Sequence, residues 1–149
     1  MFDKSKVGHS FSAFTFEVER SKIRELALAI GDDNPIYQSK ASAQAAGYPD
    51  VPIYPTSPTA FSFWGNTQMV DQLSSLGINL MRVLHGEEEY EYLTPIYPGD
   101  TLTGVMRLVD VRSRQTREAT LDVLTIETDY TNQHDKLVLK ARQVMIVRE

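Results

Sequence analysis

Apolar positions recur at helical spacing in the first half of the chain and at alternating spacing in the second. Phe14, Phe16 and Val18 share one face of an alternating stretch, residues 11–18, which predicts a first strand. Ile23, Leu26, Ala27 and Ile30 then stand at i, i+3, i+4 and i+7, and Gly31 follows as a natural helix stop. A second short helix is expected from Ser39, its N-cap, through an Ala-rich stretch to Gly47. Residues 48–58 carry Pro49, Pro52, Pro55 and Pro58 and predict an extended loop. Ser57-Pro58 reads as an N-cap with proline at the first helical position, opening a helix over residues 59–73. Ala60, Phe61, Phe63, Trp64, Met69, Val70 and Leu73 fall on more than one side of it, the pattern of a helix enclosed by other structure. Gly65-Asn66 weakens its middle, and Gly77 ends it.

Four strands are expected at residues 81–93, 101–112, 117–131 and 137–147, with turns at 97–100, 112–116 and 132–135 between them. Long strands on short connections pair antiparallel. Helices gathered early and strands late give an α+β class, about five strands wrapped around one long central helix, which is the order of a hotdog fold. The nearest rival, the cone-shaped fold of the nuclear-transport-factor and ketosteroid-isomerase type, puts helices before a sheet with no apolar helix through the middle. The 149 residues suit one domain spanning the whole sequence. Residues 117–131 are expected to form an uncovered edge, which predicts an oligomer.

Composition narrows the chemistry. A net charge of −5 without a Lys/Arg run argues against nucleic acid as a partner. The absence of cysteine excludes disulfides, thiolate metal sites and a cysteine nucleophile. His9, His85 and His134 are scattered and give no zinc spacing, so no metal is expected. Residues 1–10 lack the apolar core of a signal peptide, and no apolar run reaches membrane length, so a cytoplasmic protein off the membrane is expected.

The most informative segment is Ala29-Ile30-Gly31-Asp32-Asp33-Asn34-Pro35-Ile36-Tyr37, at the junction of the first two helices. It resembles the motif of the MaoC-like hydratases and dehydratases, Gly-Asp-x-Asn-Pro-(Leu/Ile/Val)-His, at Gly31, Asp32, Asn34, Pro35 and Ile36, and departs from it at Tyr37, where the family has His. Leu84-His85-Gly86-Glu87-Glu88-Glu89-Tyr90 through Pro95, then Tyr97-Pro98-Gly99-Asp100-Thr101-Leu102, resembles the second half of these domains. The closest branch is the N-terminal MaoC dehydratase domains, similar to the dehydratase of type I fatty acid synthases. That branch includes the non-catalytic-looking halves of two-part dehydratases that serve long-chain fatty-acid elongation.

The resemblance implies hydration of a trans-2-enoyl thioester, or its reversal from an (R)-3-hydroxyacyl thioester, with CoA or acyl-carrier protein as carrier and no cofactor. The motif Asp and His would grip one water in general acid–base work. Backbone N–H groups near Thr56, Ser57 and Thr59, at the start of the central helix, would polarise the thioester carbonyl. The resemblance also implies edge-to-edge pairing as a homodimer, or as a heterodimer with a second hotdog chain.

Each residue also has a plainer reading. Asp32 and Asn34 are good turn formers. Tyr37, with an ordinary pKa of about 10 against about 6.5 for His, donates a hydrogen bond but does not shuttle protons at neutral pH, and reads as a half-buried aromatic. His85 replaces the missing His only if its strand faces the same cleft, and otherwise is structural. In the run after His85, alternation puts Glu87, Glu89 and Glu91 on one face and Glu88, Tyr90 and Tyr92 on the other, with the carboxylates read as solvated. The leading reading is thus a dehydratase component weakened at Tyr37 and dependent on a catalytic partner. Its rivals are an active homo-oligomer, a hotdog thioesterase and a non-catalytic acyl-CoA-binding scaffold.

Overall fold

The computed structural model of the protein describes residues 2–148. Strands β1 (Phe14–Glu17), β2 (Val83–Tyr92), β3 (Thr101–Gln115), β4 (Thr120–Thr131) and β5 (Leu137–Arg148) form one antiparallel sheet in the order β1-β3-β4-β5-β2. Helices α1 (Arg20–Ile30), α2 (Lys40–Ala45), α3 (Ser57–Gly65) and α4 (Met69–Ser75) precede four of the five strands in the chain. The class is α+β and the arrangement is the expected hotdog.

Local chemistry sets the turns. Thr116 Oγ1 accepts from the Glu118 and Ala119 N–H groups and closes β3 onto β4. Asn132 Oδ1 accepts from the His134 and Lys136 N–H groups and closes β4 onto β5. His134 is therefore a turn residue. The β3–β4 hairpin reaches further than expected, with Gln115 opposite Thr120, so the turn lies beyond residue 115 rather than at 112–116.

The inner face of the sheet buries Leu102, Leu108, Leu124, Tyr130 and Leu139 completely. Phe14 crosses Gly104, its partner on β3, in a position that no side chain could share: a Cβ there would stand 2.4 Å from the Phe14 ring.

Further expectations need correction. The first strand covers only 14–17 of residues 11–18; Ser10 and Phe11 touch β3 through one isolated bridge and one backbone bond to Met106. The helix expected over 59–73 is two helices. Asn66, buried and with non-helical torsions, interrupts it, its Oδ1 accepting from the Gln68 N–H and its Nδ2 donating to Gln72. Nor is that helix enclosed on all sides: Phe61 is buried, whereas Phe63, Trp64 and Val70 are exposed. Finally, β4 is the central strand, paired with β3 and β5, because β2 reaches past it to pair with β5. The edges are β1 and β2, not residues 117–131.

Candidate functional site

Gly31, in the left-handed region at φ 72°, ends α1, and the Asp32 N–H returns to the Ala27 carbonyl. Two Asx turns follow. Asp32 Oδ1 accepts from the Asn34 N–H at 2.9 Å, and Asn34 Oδ1 accepts from the Ile36 N–H at 3.2 Å. Pro35 starts a single 3₁₀ turn to Tyr37, and Gln38 Nε2 donates to the Asp32 carbonyl. Asn34 thus spends its side-chain oxygen on the turn.

Tyr37 does not face Asp32 as a free partner. Its ring lies parallel to that of Tyr54, from the proline-rich loop, at 3.8 Å between centroids. The Asp32 carboxyl is held below the usual carboxylate range, first by the Tyr54 hydroxyl and then by the Asn34 N–H, against a smaller desolvation. The buried Tyr54 hydroxyl nevertheless completes no hydrogen bond of ordinary length and angle among the described residues. Burial first, and then the neighbouring Asp32, push the Tyr54 and Tyr37 phenols upward, so both are neutral at any physiological pH.

The start of α3 is tied to β2. Tyr92 Oη donates to the Pro55 carbonyl at 2.8 Å, and the Tyr90 and Thr59 hydroxyls are 2.5 Å apart. Of the three N–H groups expected to face a substrate, those of Ser57 and Thr59 are bonded to the Tyr54 and Thr56 carbonyls. Among the described residues the Thr56 N–H has no protein acceptor, and it is the one donor of the three left for a ligand. Ser57 is buried.

His85 lies elsewhere. A bulge at Gly86 shifts the β2–β5 register between His85 and Glu87, which turns His85 to the same side as Glu88. The two side chains meet at 2.9 Å, and Gln143 Nε2 donates to the same Glu88 oxygen at 3.1 Å. Both line a cavity of about 240 Å³ between the α3–α4 break and the sheet, walled by Leu73, Met106, Ile126 and Met145. Asp32 and Tyr37 do not line it. Burial raises the Glu88 carboxyl above its ordinary value, partly offset by its hydrogen bonds with Tyr90 and Gln143. Burial likewise pushes the Tyr90 phenol up to about 12. Glu87, Glu89 and Glu91 are exposed as expected, but Glu88 is not on a solvated face.

Sequence reasoning missed Tyr54 and Glu88. Strand alternation already set Glu88 beside Tyr90 and Tyr92. Tyr54 carried only the signal of an aromatic among prolines. Among the described residues, no group of three or more His, Asp or Glu side chains could hold a metal ion, and no helix is long and apolar enough to cross a membrane.

A family model described as FAS1-like, dehydratase domain region, matches residues 5–141. A UPF0336 protein of Saccharopolyspora erythraea is 34% identical over 147 residues, 98% of this chain and 91% of the relative. Among solved structures, the C-terminally truncated HadBC (3R-hydroxyacyl-ACP dehydratase) complex from Mycobacterium tuberculosis has a TM-score of 0.78 at 21% identity, over 95% of this chain and 96% of that one. A MaoC-like dehydratase matches with a TM-score of 0.78 at 25% identity, over 96% of this chain and 42% of that one.

Proposed function

Because the chain belongs to the family of FAS1-like dehydratase domain regions, we propose that it is one component of an acyl-thioester hydratase or dehydratase, completed by a second hotdog chain that carries the acid–base pair. The observation that carries this reading is the Tyr37–Tyr54 stack. Hydration needs one group to take a proton from water as its oxygen bonds the β-carbon, and a proton to reach the α-carbon. Asp32, with its lowered pKa, is an anion that orients water but is a weak base. Tyr37, with its raised pKa, is a donor and not a shuttle. The chain therefore supplies orientation without a competent pair. The similarity to the HadBC complex supports a hotdog partner.

The cavity beneath the α3–α4 break suits an acyl chain, with the polar groups of Thr59, His85 and Glu88 in its lining. Each methylene buried there contributes about 0.8 kcal/mol, roughly fourfold in affinity. This also supports a purely acyl-binding role, the second reading.

Loss of enoyl absorbance with trans-2-enoyl-CoA separates the readings in wild type, Tyr37→His and Tyr37→His with Asp32→Asn. The expected result is a nearly silent wild type, with a gain on the order of 10²-fold in Tyr37→His that disappears in the double variant. Fast wild-type turnover abolished by Asp32→Asn would overturn partner dependence. Flat rates in all three, with acyl-CoA still bound, would favour the binding role.

A further inference from the structure

Resting on the reading that this chain docks against a second hotdog chain along a sheet edge, here β2, we propose that the partner's facing strand is basic, so that the chain prefers a different partner over a copy of itself. Two strands have a free edge, β1 and β2. β1 has four residues and β2 has ten, so β2 offers the long row of unpaired backbone groups.

The outer face of the sheet says what fits beside it. Charges alternate strand by strand. Glu89 on β2 stands opposite Arg142 on β5, Arg142 opposite Glu127 on β4, and Glu127 opposite Arg107 on β3. One row along, Glu91 stands opposite Lys140 and Lys140 opposite Asp129, which also pairs with Arg107. The order is acidic, basic, acidic, basic, and it stops at an acidic edge.

Neutralisation from within is weak there. Glu89 reaches Arg142 only at 3.8 Å with its side chain 73% exposed, and Glu87 stands opposite Val144. In an antiparallel pairing, residues directly opposite point to the same side of the sheet. Any register that keeps the inner faces inward therefore sets outward residues of β2 against outward residues of the partner strand. In a symmetric self-pairing centred on Glu89, Glu89 meets its own copy and Glu87 meets Glu91. A strand with Lys or Arg at those positions continues the alternation.

The test needs only this chain. Wild type, the triple variant Glu87→Lys/Glu89→Lys/Glu91→Lys, and their equimolar mixture are compared by sedimentation at about 0.05 M and about 0.5 M salt, where screening lengths differ severalfold. Circular dichroism checks folding, and a triple Glu→Gln variant replaces the Lys variant if that one does not fold. The expected result is a one-to-one complex in the mixture, at least tenfold tighter than self-association of either chain and weakened by salt, with hydrogen-exchange protection gained across residues 83–92. With the Gln variant, the expected result is self-association tighter than that of wild type. Wild type that self-associates as tightly as the mixture, or as the Gln variant, would overturn the charge argument and leave edge docking standing. Failure of every combination to associate, or protection gained away from 83–92, would overturn the edge reading itself.

Discussion

Tyr37 lies flat on Tyr54, 3.8 Å between ring centroids and 18° from parallel, and it is the Tyr54 hydroxyl that most lowers the Asp32 pKa. The residue at the motif's last position thus acts on Asp32 mainly by fixing its neighbour.

Tyr54→Phe should raise the Asp32 pKa toward the ordinary value of about 3.9, while Tyr37→Phe, which keeps the stack, should move it less. Carbon NMR titration of the carboxyl checks this. Asp32 has a depressed pKa when folded, so its stabilising contribution is present above the unfolded value and is lost as pH falls through the folded one. The pH-dependent part of the Tyr54→Phe effect on stability should accordingly be full above about pH 4 and shrink as the pH falls further. An unchanged titration would assign the shift to the Asn34 N–H.

Asp50 joins three elements. It accepts from Arg20 Nε at 3.0 Å and from a second Arg20 nitrogen at 2.7 Å, and lies 3.3 Å from Lys40. These partners, Arg20 foremost, hold its carboxyl far below the usual range. Asp50→Asn should cost about 1–3 kcal/mol at neutral pH. The penalty is present above about pH 4 and shrinks as wild-type Asp50 is protonated at lower pH. Urea unfolding at neutral pH and at about pH 2 measures the difference.

Phe61 is 2% exposed and packs on Phe16 and Tyr130, whereas Trp64 is 40% exposed beside Lys22. Phe61→Ala should cost about 3–5 kcal/mol. Trp64→Ala should cost much less, below about 1.5 kcal/mol, as for a surface site. Equal losses in denaturant titrations would mean that Trp64 is covered in solution.

Gly104→Ala should destabilise by about 1–3 kcal/mol, because its Cβ meets the buried Phe14 ring at 2.4 Å. In a Phe14→Leu background the added cost should fall, giving a coupling above about 0.5 kcal/mol in a double-mutant cycle. Additive losses would show that the sheet yields rather than the ring.

Much of the fold was legible because alternation is local. The paired residues of β4 and β5, and the glycine stop of α1, follow from neighbours in sequence. Strand order was not, since it depends on β2 finding β5 far along the chain, as in Val83 opposite Val147, 64 residues later. That single pairing turned residues 117–131 from an expected edge into the centre. The break at Asn66 was signalled by Gly65-Asn66, but its cause, a buried side chain bonded to Gln68 and Gln72, is a packing outcome. In the site, Asp32 was found through its motif. Tyr54 was not, because a stack between a loop and a 3₁₀ turn leaves no periodic trace.

The one-residue bulge at Gly86 acts as a phase shifter on β2. A Cβ there would stand 3.0 Å from the Val144 carbonyl, so a side chain would fit only if the neighbouring strand gave way. Drawing Gly86 into the ladder as an ordinary paired residue would slip the register upstream of it, bring Leu84 to the cavity wall and send His85 outward, whereas deleting it would leave both where they are. The polarity of the cavity rim is therefore encoded in the register of the strand as much as in its letters, and losing the bulge while keeping Gly86 would invert it without replacing a single side chain.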